Sequence, residues 1–409
     1  MTGRGKLLIF APNGGTSLST GGGVSFLFRL AERVVSIYGH DVYIAGYHTL
    51  PESVLFLRNW DSVQRVQDKV HVLPGILSDQ YFSAFSHFPF KLSAYDAMLS
   101  RNFSKWVTEV LEKVKPDFVL FNDDIPKAAE GYIKKIPTFL YVHFPLAART
   151  AKIIPPMKVE RPRTEAINEF LLLRMLDKLV VSNPEELSVN VLVNSSVTSN
   201  AIKKLGRGSN HHIFFPFWTT PMDLYTSKRY LTSIGTMHKE KRHDVLLKAV
   251  KGIKDELKGL KVIIAGYSRE MTYVAKLMNY IRREQLQDTV SLEINVVPSR
   301  LLEILKGSLG IFQLGKFEPL GMIPLEGMRF GAVGVARKSE YSGTYTDILD
   351  HDKYGMSFEN ENSLSDVILS LMNKPLCESY RHLSIERVMT YSKEHFTEEM
   401  LNFLPLGRA

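Results

Sequence analysis

Short apolar runs alternate with longer stretches of helical periodicity along this chain, and this alternation constrains the fold more than any other feature. The runs are rich in Val, Ile, Leu and Phe and are bounded by Gly, Pro, Asn or His. In the first half they are Leu7–Pro12, Asp41–Tyr47, Val70–Pro74, Phe118–Phe121, Thr138–Phe144, Lys178–Ser182 and Val191–Asn194. In the second half they are Tyr230–Thr236, Lys261–Tyr267, Val290–Val297, Leu309–Leu314 and Ala332–Ala336. Continuous apolar runs are typical of parallel strands buried on both faces, so the sequence predicts an α/β fold.

The alternation restarts in the middle of the chain, after an irregular segment between Phe214 and Tyr230. A chain of 409 residues has room for two or three domains of about 150 residues each. We therefore predict two Rossmann-like domains facing each other across a cleft, with His211 and His212 in the linker region. The predicted bounds are 1–214 for the first domain, 215–382 for the second, and 383–409 for a C-terminal helical segment that can return to the first.

Composition and charge indicate which binding partners and which cellular compartment suit the protein. The 51 Lys and Arg residues outnumber the 43 Asp and Glu residues, giving a net charge of +8, and a basic surface suits a nucleotide, a phospholipid or a nucleic acid. The single cysteine, Cys377, cannot form an internal disulfide, which favours a reducing compartment. The sequence shows neither a secretory leader nor a membrane-spanning run. We predict a cytoplasmic protein, either soluble or peripheral on the cytoplasmic face of a membrane.

The segment 317–328 carries the strongest local signal for chemistry. It combines a glycine-containing turn with a short helix, for which Pro324 suits the first position and Gly331 the end. Free backbone N–H groups at such a helix start bind phosphate. The spacing of eight residues places Glu318 on the loop and Glu326 in the first helical turn. Carboxylates beside a phosphate site are predicted to bind sugar or ribose hydroxyls, and a plain surface loop is the alternative.

Two other loops follow predicted strands. Lys241 lies in the segment 233–243, just before an amphipathic helix, where a lysine can neutralise a leaving phosphate. A solvated charge run is the alternative interpretation of that segment. The glycine-rich loop 13–23 includes Gly22 and Gly23 and lets the backbone approach an anion or a sugar closely, although it is not a G-x-G-x-x-G motif.

Two polar sites end successive strands of the first half. His143 follows a buried strand and is either a structural histidine or a contact in the cleft. The triplet 122–124, with Asp123 at its centre, can bind a divalent metal, bind an acceptor hydroxyl or cap the next helix. Zinc-binding, nucleophile-elbow and P-loop motifs are absent from the sequence.

Taken together, these residues resemble the retaining nucleotide-sugar glycosyltransferases of family 4, which have the GT-B fold. The resemblance covers nearly the whole chain, and its most specific element is the E-x7-E signature formed by Glu318 and Glu326. Within the family, the sequence is most similar to the α-mannosyltransferases of dolichol-linked asparagine glycosylation. That similarity rests on Gly21-Gly22-Gly23, Tyr-Val-His-Phe-Pro at 141–145, Val-Leu-Val-Asn-Ser-Ser at 191–196 and Ile-Asn-Val-Val-Pro at 294–298.

The resemblance implies a role for each matching residue of the second domain. Glu318 would orient the donor sugar through its hydroxyls, Glu326 would hold the ribose, and Lys241 would neutralise the departing diphosphate. Val297 is assigned to the same donor site. Backbone amides for the sugar or the diphosphate would come from Leu320, Gly321 and Met322.

In the first domain, the resemblance implies that Gly22 and Gly23 close over the diphosphate and that His143 lies near the sugar. Asp123 is the candidate contact for the acceptor. No metal or other cofactor is expected, because in this family the leaving diphosphate itself takes the proton of the acceptor on the face from which it departs.

Two departures from the family pattern bear on the donor site. The arginine that usually precedes the lysine is absent, which leaves His238 or Arg242 to replace it. The usual glycine pair after the next strand is replaced by Tyr341-Ser342-Gly343-Thr344. The selectivity for the sugar is therefore open.

The predicted reaction is a metal-independent, retaining transfer of mannose from GDP-mannose to a lipid-linked oligosaccharide or another glycan. The aromatic stretch Tyr81–Phe90 and a basic stretch favour an anionic membrane surface and a lipid-linked acceptor, whereas aromatic residues in the core and a solvated loop are the alternative. The basic stretch comprises Arg149, Lys152, Lys158, Arg161 and Arg163.

Other functions share parts of this pattern. A UDP-sugar-dependent soluble glycosyltransferase, a disaccharide synthase or a nucleotide-sugar epimerase would fit the same two-domain fold. A nucleic-acid binder fits the net charge, but Glu318 and Glu326 at the predicted phosphate site oppose it, and we predict no nucleic-acid partner.

Overall fold

The computed structural model describes most of the second half of the chain and the strands and several helices of the first half. The described residues are 4–11, 22–46, 66–73, 75, 102–145, 148, 171, 174, 181–187, 189–206, 211–215, 229–257, 259–268 and 271–407. The glycine-rich loop up to residue 21, the aromatic stretch 81–90 and the basic residues at 149–163 lie outside them. The chain divides into a first unit, Met1–Pro216 with Thr397–Ala409, and a second unit, Phe217–Phe396.

The first unit is built on a parallel sheet. Its strands are β1 Lys6–Ala11, β2 Asp41–Gly46, β3 Val70–Leu73, β4 Phe118–Asn122, β5 Thr138–Val142, β6 Asn190–Val193 and β7 His211–Ile213. Its helices are α1 Gly22–Tyr38, α2 Phe103–Val114, α3 Glu130–Ile133 and α4 Ser196–Leu205. The strand order in the described residues is β3-β2-β1-β4-β5-β6-β7. The order reverses between β1 and β4, and the carboxyl ends of strands at such a switch point are where α/β sheets bind ligands.

Burial explains why the apolar runs of the first unit become strands. All five residues of β4 and all five of β5 are buried, as expected for central strands covered on both faces. Phe10 stacks on Phe121 with ring centroids 5.2 Å apart, joining β1 to β4 in the core. Of the strand predicted at 178–182, only Val181 and Ser182 are described, and Val181 forms an isolated antiparallel bridge with Pro126.

The second unit contains another parallel sheet. Its strands are β8 Tyr230–Ile234, β9 Lys261–Gly266, β10 Val290–Ile294, β11 Ser308–Gln313, β12 Val333–Arg337 and β13 Gly355–Phe358. Its helices are α5 His243–Gly252, α6 Met271–Arg283, α7 Pro298–Gly307, α8 Met322–Met328, α9 Glu361–Met372 and α10 Lys374–Met389. The strand order is β10-β9-β8-β11-β12-β13, so the switch point lies between β8 and β11. A π-helix, Thr344–Ile348, follows β12.

The C-terminal helix α11, Lys393–Phe403, leads the chain back to the first unit. Arg33 Nε donates to Thr397 Oγ1 at 2.6 Å, and the buried ring of His40 bonds through Nε2 to the Leu406 carbonyl at 2.9 Å. The C-terminal segment predicted to be helical is helical, and it comprises the end of α10, which stops at Met389, and α11, which begins at Lys393.

The interpretation of His211 and His212 as linker residues is wrong. They form β7 with Ile213 and pair in parallel with β6 at the sheet edge. His212 stacks on Phe403 of α11 with ring centroids 4.5 Å apart, while His211 Nε2 lies 2.7 Å from Ser199 Oγ. Such an edge strand, stabilised by polar and aromatic contacts, has no apolar run by which the sequence could reveal it.

Among the described residues, no helix combines the length and the hydropathy that crossing a bilayer requires.

Candidate active site

At the switch point of the second sheet, the loops after β8 and β11 bring Lys241 and Glu318 into contact. The Lys241 ammonium donates to a carboxylate oxygen of Glu318, 77 residues away in the sequence. The side chain of Lys241 remains 39% exposed and that of Glu318 18% exposed, so the pair is accessible to a ligand. Burial opposes the charge on Lys241, but the adjacent Glu318 carboxylate outweighs it and raises the pKa of the ammonium.

The loop that carries Lys241 is fixed from behind by a buried histidine. His243, the first residue of α5, is 1% exposed, and its Nδ1 lies 2.9 Å from the hydroxyl of Ser233 in β8. Its Nε2 lies 3.4 Å from the carbonyl of Thr236, so the ring spans the strand and the loop. Burial, assisted by the nearby Lys241 charge and opposed by the hydrogen bond to Thr236, lowers the pKa of His243 to about 4. The neutral ring accepts from Ser233 and donates to Thr236.

The two candidate replacements for the missing arginine have partners within their own loop and helix. Arg242 has a positive φ of 56° and donates from Nε and Nη2 to the two carboxylate oxygens of Asp244 at 3.1 and 3.2 Å. His238 precedes the short 3₁₀ turn of Lys239–Lys241, and its Nδ1 accepts from Glu240 N at 3.5 Å. In this structure, the cation at Glu318 is Lys241.

The Glu318 loop is held by the segment that follows β12. Glu318 N donates to the carbonyl of Tyr341 at 3.0 Å, and Gly343 N donates to the carbonyl of Glu318 at 2.8 Å, so that Glu318 and Ser342 form a parallel bridge. The departure Tyr341–Thr344 from the family pattern is therefore part of the structure that supports the site. Sequence reasoning identified this departure but gave Thr344 no role.

The helix after this loop differs in register from the sequence prediction. α8 begins at Met322, so Pro324 is its third residue and Glu326 its fifth, rather than the first residue and a first-turn residue. The reason is Gly321, whose φ of 77° turns the chain into the helix three residues before the proline. Proline is accepted there because residues in the first turn of a helix do not need their N–H for the helical hydrogen bonds.

Backbone donors lie next to the Lys241–Glu318 pair. Within the described part of the chain, the N–H groups of Gly321 and Met322 have no hydrogen-bond partner. Leu320 buries its side chain, which is 3% exposed, so it can offer a ligand only its backbone. Val297 precedes α7 after β10 and is 60% exposed. The second unit thus gathers one cation, one carboxylate and unpaired amides at one sheet edge.

In the first unit, His143 and Asp123 lie together at the carboxyl ends of β4 and β5. His143 N donates to Asp123 Oδ1 at 2.8 Å, and Thr198 Oγ1 donates to the carbonyl of His143 at 2.8 Å. The carboxylate of Asp123 therefore fixes the backbone of His143 and does not cap a helix, which was one of its possible roles. The positive φ of 76° at Asp123 turns the chain to make this contact.

The ring of His143 lies edge-on to the rings of Phe26 and Tyr141, at centroid distances of 5.9 and 5.0 Å. Its Nε2 is buried and has no partner among the described residues. Burial lowers the pKa of His143, with the charge of Asp123 opposing the shift, so the ring is neutral at pH 7. Gly22 and Gly23 begin α1, and the loop before them lies outside the described residues.

Groups of acidic, histidine and cysteine side chains that could hold a metal ion are not found among the described residues.

Comparison with known proteins identifies the second unit. Residues 216–387 match the family model described as glycosyl transferases group 1, so the match covers β8 to α10 with the Lys241 and Glu318 loops. No curated protein sequence matches the chain.

Solved structures match the whole chain at low identity. HepE of Anabaena, in complex with UDP and glucose, is 13% identical with a TM-score of 0.65 over 98% of this chain and 100% of that one. Sucrose-phosphate synthase of Thermosynechococcus elongatus is 13% identical with a TM-score of 0.73 over 98% of each chain. WaaG, a glycosyltransferase involved in lipopolysaccharide biosynthesis, is 10% identical with a TM-score of 0.68 over 97% of this chain and 98% of that one. Residues 216–387 of the second unit thus match a group 1 glycosyltransferase domain, and the chain has the GT-B fold of the glycosyltransferase structures it resembles.

Proposed function

We propose that this protein transfers mannose from GDP-mannose to a lipid-linked oligosaccharide or another glycan, with retention of the anomeric configuration and without a metal. The observation that carries the proposal is the contact of Lys241 with Glu318 beside the unpaired N–H groups of Gly321 and Met322. A cation and amides suit the diphosphate of a nucleotide sugar, and a carboxylate suits the hydroxyls of its sugar.

Donor binding exchanges the partners of this ion pair. The diphosphate takes the Lys241 ammonium, and the sugar hydroxyls donate to the Glu318 carboxylate that the lysine has left. Each charged group then has a partner both before and after binding, so neither is left buried and unpaired. The unpaired amides of Gly321 and Met322 supply further donors to the diphosphate or the sugar.

Transfer then needs no covalent enzyme intermediate. The acceptor hydroxyl oxygen bonds to the anomeric carbon as the bond from that carbon to the β-phosphate oxygen breaks. The departing diphosphate takes the hydroxyl proton on the same face, which retains the configuration. Lys241 stabilises the negative charge that grows on the diphosphate, and electrostatic stabilisation of this kind is a major source of catalysis.

The remaining residues have narrower proposed roles. Glu326, in the middle of α8, holds the ribose hydroxyls, and Val297 contacts the donor through its exposed side chain. In the first unit, neutral His143 contacts the sugar, and Gly22 and Gly23 approach the diphosphate through their backbone. These roles follow the family resemblance, and substitution tests each of them. Asp123 positions His143 and faces the acceptor.

A lipid-linked acceptor and a membrane surface are supported by the net charge of +8 and by the likeness in fold to WaaG, which acts in lipopolysaccharide biosynthesis. The cytoplasmic face of membranes is anionic, so a basic protein binds there in a salt-dependent manner. Binding to vesicles with anionic lipid at low salt, weakened at high salt, is the expected result. A failure to bind at low salt would remove the membrane from the proposal.

Calorimetric titration with GDP-mannose, UDP-glucose and UDP-N-acetylglucosamine tests the donor. We expect selective binding of GDP-mannose, weakened about tenfold or more in Glu326→Ala through the loss of charged hydrogen bonds to the ribose. Glu359→Ala is the matched control, because Glu359 is an exposed glutamate of the same unit that pairs with Lys338 at 3.4 Å. Equal losses in both variants would contradict the role of Glu326.

A UDP-sugar-dependent glycosyltransferase or disaccharide synthase is the second candidate. It is favoured by HepE, whose structures contain UDP, glucose and UDP-glucose, and by the fold of sucrose-phosphate synthase. Preference for a UDP-sugar in the same titration would establish this candidate and leave the chemistry of Lys241 and Glu318 unchanged. A nucleotide-sugar epimerase would instead convert its donor without any acceptor.

A further inference from the structure

The residues from Ser342 to Thr344 pack directly against the loop Glu318–Gly321, which we call the donor loop. A Cβ atom built on Gly343 would lie 2.0 Å from the carbonyl oxygen of Pro319, so no other residue fits there. Ser342 Oγ lies 3.3 Å from Oε1 of Gln313, the last residue of β11, which anchors the segment to the sheet. The donor loop therefore packs against a backbone segment that is anchored to β11, the strand next to β8.

The Thr344 hydroxyl also contacts the donor loop. Its Oγ1 donates to the carbonyl of Leu320 at 2.9 Å, and Thr344 is fully buried. A trans peptide directs its C=O and its N–H to opposite sides. Because the Leu320 carbonyl points to Thr344, the N–H of Gly321 in the same peptide points away from the buried surface.

The conformation of Gly321 depends on this neighbour. Its φ of 77° lies in the region that glycine adopts freely, so the glycine itself does not hold the peptide in one orientation. A Cβ atom at Gly321 would lie 2.1 Å from Thr344 Oγ1, which shows how closely the hydroxyl approaches the turn. The hydrogen bond from Thr344 supplies the orientation that the flexible residue lacks.

We propose that Thr344 is a positioning residue for sugar transfer: its hydroxyl fixes the Leu320–Gly321 peptide so that the Gly321 and Met322 amides are presented to the donor. The proposal rests on the proposed function of this loop as the donor site. Thr344 touches neither donor nor acceptor and acts through the Leu320 carbonyl. Its contribution is preorganisation of donors that stabilise the charge on the leaving diphosphate.

Steady-state kinetics of three variants test this role, with the donor that the wild type uses. Thr344→Val keeps the shape of the side chain and removes the donated hydrogen bond, and we expect kcat to fall about 10- to 100-fold with a smaller change in the KM of the donor. Thr344→Ser keeps the hydroxyl and should retain kcat within about threefold of the wild type. Thr344→Ala replaces Thr344→Val if the latter does not fold.

Thr232→Val is the matched control. Thr232 is fully buried in β8, and its hydroxyl bonds to the Gly310 carbonyl at 3.1 Å, so the same substitution removes a comparable bond away from the loop. We expect its kcat to stay within about twofold of the wild type. A fall in kcat as large as that of Thr344→Val would show a general effect of buried threonines, and unchanged kcat in Thr344→Val would equally overturn the proposal.

A readout without substrate separates this proposal from the proposed function. In protein labelled with 15N-methionine, the Met322 amide signal, assigned by Met322→Leu, should shift or broaden in Thr344→Val and stay in place in Thr344→Ser. If the wild type transfers no sugar from any of the three donors, the proposed function fails while this signal still decides the role of Thr344. A Met322 signal unchanged in Thr344→Val would overturn that role.

Discussion

The two units of this protein differ in the charge state of side chains near their sheets. In the second unit, Lys241 stays charged because Glu318 lies against it, and the pair is accessible. In the first unit, burial shifts the pKa of three titratable groups toward their neutral forms. The pKa of Tyr141 is raised, that of His143 is lowered and that of Glu399, on α11, is raised to about 7.

This difference in charge state suits the two sets of side chains to different ligand groups. A compensated ion pair can exchange partners with a charged ligand at little cost, since each charge keeps a partner. A neutral cluster cannot stabilise a phosphate, but it can offer shape and hydrogen bonds to an uncharged group. Under the proposed function, Lys241 and Glu318 of the second unit bind the charged part of the donor, whereas His143 of the first unit contacts an uncharged group.

Removing the ion pair gives the largest expected effect. Lys241→Ala and Glu318→Ala should each lower kcat by roughly 100- to 1000-fold, the loss seen when one preorganised electrostatic group is removed from a site. The double variant should lose much less than the product of the two single losses, because the two residues act as one unit. Steady-state transfer rates measure all three variants.

The matched control is the ion pair of Lys251, in α5, and Glu284, directly after α6 of the same unit, with 2.6 Å between Nζ and Oε2. Alanine at either position should leave the transfer rate within about twofold of the wild type, since surface ion pairs contribute little. Wild-type turnover in Lys241→Ala or Glu318→Ala would remove both residues from the proposed chemistry.

His243 gives the next largest effect, on stability rather than on activity. Its pKa of about 4 in the folded protein lies below the ordinary value of 6.5, so the unfolded chain binds more protons at acid pH. The contribution of neutral His243 to the free energy of unfolding is fully present above pH 6.5. About 3 kcal/mol of it is lost as the pH falls from 6.5 to 4. His243→Gln should therefore flatten the decline in the free energy of unfolding over this range.

Hydrogen exchange of the β8 and α5 amides follows the opening of the second unit and measures this decline. His143→Gln is the control, because it lies in the first unit and should leave the exchange of β8 unchanged at each pH. Parallel pH profiles for the wild type and His243→Gln would show that another group is responsible for the acid sensitivity of this unit.

The sequence predicted the parts of the fold that depend on burial alone. The continuous apolar runs of the central strands needed no tertiary information, and the strands at Leu7–Pro12, Asp41–Tyr47 and Leu309–Leu314 were found within one or two residues. The edge strand β7 was missed because its stability comes from the pairing with β6 and from the stacking of His212 on Phe403.

The same limit applies to the site. Lys241 and Glu318 could be named from their motifs, but their contact depends on a strand order that brings residues 77 positions apart together. The support from His243 and Thr344 was missed, since each side chain acts through a backbone carbonyl, that of Thr236 and that of Leu320, and such a contact leaves no pattern in the sequence. The one available signal for Thr344 was the departure from the usual glycine pair, which gives no information about its partner.

Glu399 gives the smallest expected effect and tests the suppression of charge in the first unit. Its pKa of about 7, raised mainly by burial, lies above the ordinary value of 4.5 despite a hydrogen bond from the backbone of Phe215. The folded protein thus holds its proton between pH 4.5 and 7, and stability falls as the pH rises through this range. Because the carboxyl is partly exposed, solvent screening reduces the cost to about 1 kcal/mol above pH 7.

Glu399→Gln removes this titration and keeps an oxygen that can accept from Phe215. The melting temperature of the variant should exceed that of the wild type by about 2 to 4 °C at pH 8 and equal it at pH 4.5. Glu394→Gln is the control, because Glu394 is an exposed residue in the first turn of the same helix and should show no pH-dependent gain. An equal gain at both pH values would mean that the charge on Glu399 is tolerated in the first unit, and the contrast between the two sheets would then rest on His143 and Tyr141 alone.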